Sequence, residues 1–360
     1  MTLFAKRVSM LSHNMAFASR AASTGLSTFG NGALLIMAAV LTIFSFSHAL
    51  ADDELACPGQ NLFTQLEKED PVRFRKAVER AETIPNGNAI FWKIEKSGLE
   101  PSWLLGTMHV SDPRVLDMPE GFYDAYETID TLTVELAEVA KPEKLAMEIL
   151  KHPELTTLQG DKTLDHILPP DATSDVAAGL KKKGISMNLM AKMRPWFIYM
   201  GLQAGSCDVK RSAKGFKVLD QSLALDALND GIRLVGLETP AEQFEAISDV
   251  PDNFMLQNLR ELLALPNGMD DISETMIDLY DQGKVGMIFS LMEFVSTDQA
   301  AAKAFENRVI TDRNKVMAER AKPYLDKGRT MVAVGAAHLP GSDGLVELLR
   351  RQGFTVTAVN

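Results

Sequence analysis

Two short stretches at opposite ends of the chain carry the same chemistry. Leu104-Leu105-Gly106-Thr107-Met108-His109 and Ala333-Val334-Gly335-Ala336-Ala337-His338 are each an apolar run, a glycine, two further residues and a histidine. In open α/β sheets ligands bind just beyond the carboxyl ends of the strands, and a glycine at that exit lets backbone or ligand come close. A histidine three residues on stands at the rim, where imidazole serves as metal ligand or general base. Of the six histidines, His13 and His48 fall in an N-terminal leader, and His152 and His166 sit in charged helical surroundings. His109 and His338 are left as the pair in matching contexts. Glu135 ends the apolar run 132–136, followed by Glu138. A carboxylate there is unfavourable unless an arginine or a metal compensates it; the alternative is an acid at a helix N-terminus. In a long predicted helix, Arg308, Asp312 and Lys315 share one face, and Asn307 and Asn314 another, with Arg313 beside Asn314. Asparagine is a mediocre helix former, so Arg313-Asn314 in mid-helix suggests side chains needed for a contact, against the alternative of a solvated charged face.

The elements that must position these residues follow from the apolar pattern. Residues 89–96 and 103–108 read as neighbouring strands, 119–129 as a helix and 132–136 as a buried strand. At the far end 330–334 is a strand, 341–352 a helix and 354–359 a closing strand. Strand, helix, strand is the order of a parallel pair. The expected fold class is α/β: a mainly parallel sheet formed by the N- and C-terminal parts of the mature chain, with a large helical insertion at about 141–328. That insertion is expected to hold helices over 187–202, 254–265, 272–282 and 298–325, with one strand-like island at 232–236.

Composition narrows the class of function. The 360 residues are 46% hydrophobic and 24% charged, ordinary for a globular protein. A net charge of −11 argues against a nucleic-acid partner held by bulk charge. Residues 1–51 hold Lys6, Arg7 and Arg20, no acid, an apolar run from Ala33 to Phe46 and a small-x-small site at Ala49/Ala51. This reads as an export signal cleaved after Ala51, its run falling short of the roughly 20 residues that span a bilayer. Membrane association through an uncleaved anchor is the alternative. The mature chain, a single domain from residue 52 to 360, then has 34 basic and 48 acidic residues, a net −14, and its place is the periplasm or cell envelope. In an oxidising compartment Cys57 and Cys207 are expected to pair. Met187, Met190 and Met193 line one segment, as core packing or as an adaptable surface for a peptide.

Taken in order, these blocks resemble the TraB/GumN family, related to the Tiki proteins and more distantly to an erythromycin esterase/ChaN-like group. The blocks are Gly106–His109, Val134–Glu138, Leu219-Asp220, Gly236–Gln243 (GLETPAEQ), Asp312–Asn314 and Val334–Val356. The resemblance implies an α/β fold in which both histidine turns and the acid converge. It makes His109, Glu135 and His338 candidate ligands of a divalent cation (Zn, Mn, Co or Fe) or acid/base groups. It makes Arg313 and Asn314 candidates for substrate orientation or oxyanion stabilisation, and Glu238 a further candidate site residue. No HExxH helix is present. The expected function is a metal-dependent, protease-like hydrolase acting on a peptide or small-molecule substrate, with Glu138 or Glu238 as proton acceptor. The alternatives are a metal-free esterase-like hydrolase and a non-catalytic binding or regulatory protein for a peptide, haem or an envelope polysaccharide pathway.

Overall fold

The computed structural model describes residues 57–359 apart from residue 266; the leader expected over 1–51 lies outside the described residues. Six strands form one sheet: β1 Phe91–Glu95, β2 Ser102–Thr107, β3 Thr131–Val134, β4 Arg233–Gly236, β5 Thr330–Gly335 and β6 Thr355–Ala358. Their order is β4-β3-β5-β2-β1-β6. β1 pairs antiparallel with both β2 and β6, while β2–β5, β5–β3 and β3–β4 are parallel, so β1 alone runs against the other five. The expected mainly parallel α/β sheet is therefore present. The strand-like island at 232–236 has become its edge strand β4.

Tertiary order differs from chain order in a way that matters for the site. β2 and β3 are successive parallel strands, yet β5 from the far end of the chain lies between them. β5 is buried along nearly its whole length, as a parallel strand covered on both faces must be. Alternation along the strands divides the core. Leu105, Met331 and Ala333 face a cluster with Phe122, Tyr126, Leu219 and Ile288. Leu104, Val332 and Val334 face a second one with Met317, Leu345 and Leu349.

Among the helices are α1 Phe122–Tyr126, α2 Pro142–Lys151, α3 Ser206–Ala213, α4 Leu219–Asn229, α5 Pro240–Ser248, α6 Met269–Asp281, α7 Asp312–Leu325 and α8 Leu345–Arg351. The helix expected over 187–202 is instead two, Met187–Met190 and Pro195–Gly201. Pro195 opens the second helix as its first residue and pushes Arg194 to extended backbone. The helix expected over 298–325 is continuous but passes through a π-turn at Asn307–Thr311. The disulfide forms as expected, with Cys57 and Cys207 bonded at a Cα separation of 5.6 Å. Among the described residues no helix is long and apolar enough to cross a membrane.

Candidate active site

Four adjacent parallel strands, β4, β3, β5 and β2, deliver Glu238, Glu135, His338 and His109 just past their carboxyl ends. This is the edge of the sheet where α/β folds bind ligands. β2 and β5 are in register with Gly106 opposite Val334 and Thr107 opposite Gly335, so the two histidine turns leave the sheet side by side. The two glycines are needed for different reasons. A Cβ on Gly106 would sit 3.0 Å from Ala336 Cα and from Leu339 Cδ2, so its role is close packing of one turn on the other. A Cβ on Gly335 would lie 3.2 Å from Glu135 Oε1, 3.5 Å from His338 Cδ2 and 3.8 Å from His109 Nε2. Gly335 therefore keeps open the point on which the three expected ligands converge.

Each imidazole is fixed from behind through Nδ1. His109 Nδ1 lies 2.8 Å from Asp220 Oδ2, and the other carboxylate oxygen accepts from Thr107 Oγ1 at 2.5 Å. Asp220 opens the first turn of α4. His338 Nδ1 lies 2.6 Å from Asn314 Oδ1. Asn314 Nδ2 donates to the Asp343 carbonyl at 2.9 Å, which fixes the amide's orientation and makes His338 Nδ1 the donor. His338 Nε2 then carries a lone pair and faces Glu135 Oε1 at 3.6 Å.

Glu135 is held on all sides. Oε1 accepts from the Gly335 backbone N–H at 2.7 Å, and Oε2 from Arg313 Nη2 at 2.6 Å and Gln243 Nε2 at 3.0 Å. Arg313 also gives Nε and Nη2 to Glu238, and Nη1 to the Val309 carbonyl at 2.9 Å, inside the π-turn. π-turns are frequent at functional sites, and this one sets the Arg313-Asn314 pair at the strand ends. Substrate orientation or oxyanion stabilisation is the role expected of Arg313; the contacts it makes here are structural. Its guanidinium is buried and bonded to two carboxylates and a carbonyl, the geometry of a group that positions Glu135. Asn314 likewise grips a histidine.

The electrostatics separate the groups. Burial alone would raise the Glu135 carboxyl, but His338, Arg313, His109 and the Gly335 N–H outweigh it and hold it ionised. Burial, the largest influence on His338, takes its pKa down to about 4, so that ring is neutral at pH 7; Arg313 is then the strongest remaining pull on Glu135. The Asp220 carboxylate raises His109 to about 9. Burial raises Glu238, against the opposing pull of Arg313.

The family model described as the TraB/PrgY/gumN family matches residues 90–358, a span that contains every residue of this site. This chain belongs to that family. Among named relatives, the TraB/PrgY/gumN chain is 21% identical to a metalloprotease TIKI homolog of Nematostella vectensis, over 76% of its own length and 68% of the relative. It is 25% identical to metalloprotease TIKI2 of Danio rerio (75% and 60%) and 22% identical to metalloprotease TIKI1 of Homo sapiens (75% and 61%). The chain thus spans about two thirds or less of the length of these relatives. No solved structure matches it.

In this TraB/PrgY/gumN chain no three His, Cys, Asp or Glu side chains among the described residues close into a metal cage. The donor set nonetheless fits a cation. A neutral imidazole nitrogen and an ionised carboxylate oxygen, both acceptors, face each other with no proton between them. Both histidines bond backwards through Nδ1, the arrangement by which metal-ligating histidines are oriented. Sequence reading assigned no role to Asp220, Thr107 or Gln243, although Leu219-Asp220 and Gly236–Gln243 stood among the recognised blocks. A buried acid opening a helix was the available signal for Asp220.

Proposed function

We propose that this chain is an exported, periplasmic or envelope hydrolase of the peptidase type, working with a divalent cation (Zn, Mn, Co or Fe) held by His109, Glu135 and His338. The observation that supports this reading best is the convergence of His109 Nε2, His338 and Glu135 Oε1 on the space kept open by Gly335. A cation bound there would lower the pKa of a water and polarise the scissile carbonyl. The chain's own residues do the rest. Asp220 and Asn314 accept from Nδ1–H of the two rings and aim Nε2 inward; His109 would give up the second proton it holds beside Asp220 on binding a cation there. Arg313, Gln243 and the Gly335 N–H keep Glu135 ionised and in place. Because Arg313 occupies both oxygens of Glu238, Glu138, half-buried on the turn after Glu135, is the remaining candidate to take a proton from a bound water.

One observation favours a second reading. His109 is exposed and, beside Asp220, protonated at neutral pH, which suits a metal-free acid/base dyad of the esterase-like kind. The test incubates the chain with a mixed peptide library, with Mn, Co or Zn added or after exhaustive chelation, and follows products by mass spectrometry. Cleavage that requires a cation and vanishes in His338→Ala supports the metal reading. Cleavage that survives chelation moves the assignment to the dyad. Retention of peptide with no product under any condition makes the chain a binding protein.

A further inference from the structure

Helix α3 has two faces with different surroundings. Its inner face is anchored three times: Cys207 is disulfide-bonded to Cys57, Asp208 Oδ1 accepts from Ser111 N and Oγ at 3.0 and 3.1 Å, and Arg211 pairs with Asp112 at 3.0 Å. Its outer face carries Val209, Lys210, Ala213 and Lys214, all exposed. After Ala213 the chain turns through Gly215 at φ +85°, and the Phe216 N–H bonds back to the Arg211 carbonyl at 3.0 Å. In such a C-terminal turn the residue after the glycine commonly packs its apolar side chain back onto the helix. Phe216 is instead 49% exposed and Val209 40% exposed. Every residue from Ser212 to Lys217 is exposed, and a Cβ on Gly215 would meet nothing within 4 Å. The turn projects into open space.

Charge sets it apart as well. Residues 209–217 contain Lys210, Arg211, Lys214 and Lys217 and no acid, in a chain of net charge −11. Arg211 is turned inward on Asp112, whereas none of the three lysines is paired with a carboxylate among the described residues.

We infer that this protrusion docks the protein on an anionic lipid bilayer, with Phe216 and Val209 entering the headgroup boundary and Lys210, Lys214 and Lys217 reaching lipid phosphates. An extended acidic peptide needs a groove; a projecting aromatic ringed by lysines fits a plane. Lysine stems lie along apolar surface while their ammonium groups seek phosphate, and an apolar insertion with a basic ring is the combination that holds a protein in the interface. The acidic remainder of the chain is repelled by the same surface, so the patch also fixes orientation. The inner face of α3 holds Ser111 and Asp112, two and three residues after His109, so docking would turn the loop that carries this histidine towards the membrane.

Amine acetylation of the full chain tests this, read residue by residue by mass spectrometry. The probes are vesicles of phosphatidylglycerol in phosphatidylcholine and vesicles of phosphatidylcholine alone. Local readout keeps any contribution of the leader separate. The anionic vesicles should slow acetylation of Lys210, Lys214 and Lys217 about threefold or more, with Lys144 unchanged and the protection fading as salt rises. Phe216→Ser, read at all three lysines, and Lys214→Glu, read at Lys210 and Lys217, should each remove most of that protection while the disulfide and near-UV circular dichroism stay intact. Equal protection by neutral vesicles, protection spread over all lysines, or none, would overturn the inference. So would protection by a soluble acidic peptide with none by vesicles.

Discussion

The two histidine turns are near-copies in sequence and opposites in environment. The His109 side chain is 64% exposed, backed by a carboxylate and cationic at neutral pH. The His338 side chain is 4% exposed, backed by a carboxamide and neutral. Their glycines differ too, one allowing the turns to pack and the other keeping the shared hollow open. Matching motifs thus deliver one ring that holds a proton and one that offers a lone pair, on either side of a single ionised glutamate. The difference comes from the carboxylate that stands behind one ring and from the burial that encloses the other.

The largest expected effect asks whether the two rings still act as one unit. His109→Ala and His338→Ala should each lower hydrolysis by about 10²- to 10⁴-fold. In the double variant the loss should be little greater, as for residues that act together. Additive losses in single-turnover assays would show two independent roles. Arg313→Met tests the glutamate between the rings: it strands Glu135 and Glu238 as buried, unpaired carboxylates, with an expected cost of about 3–5 kcal/mol in urea unfolding. Arg308→Met, on the exposed face of the same helical run, should cost no more than about 1 kcal/mol.

Asp220→Asn addresses the backing group directly. It should bring the His109 pKa down from about 9 towards the ordinary histidine value, seen by NMR titration, and weaken metal binding by about 10- to 100-fold. An unchanged His109 titration would remove Asp220 from the account.

The smallest effect concerns the loop that carries His109. Burial pushes Asp112 up, but Arg114 and Arg211 outweigh it and hold its carboxyl below the usual range. A carboxyl depressed in the folded state contributes stability above its unfolded pKa, about 3.9, and loses it as pH falls. Thermal stability should therefore fall on acidification below about pH 4, and Asp112→Asn should flatten that slope.

Much of the scaffold was legible because it depends on neighbours in the chain. Apolar runs of strand length, punctuated by glycine and proline, placed β1, β2, β3 and β5 within a few residues. The closing strand β6 and even the isolated β4 were visible for the same reason. The break at Pro195 carries a local signal, a proline at a helix start, that the apolar periodicity over 187–202 hides. Arg313-Asn314 in mid-helix signals side chains needed for a contact, but not which contact: an arginine's spacing does not say how many carboxylates will surround it. The π-turn that aims the pair shifts one helical turn and leaves no mark in the apolar periodicity.

By itself the sequence determined which residues end strands, that two of them are histidines after matching glycines, and that Glu135 closes an apolar run. Those are consequences of backbone sterics and local burial. Only the tertiary structure decided that β5 would lie between β2 and β3, that Asp220 would stand behind one histidine and Asn314 behind the other, and that Arg313 would hold Glu135. Protonation state and ring orientation follow from charges and hydrogen bonds a few ångströms away in space. In this chain those partners come from up to 200 residues away in sequence, where no local pattern can specify them.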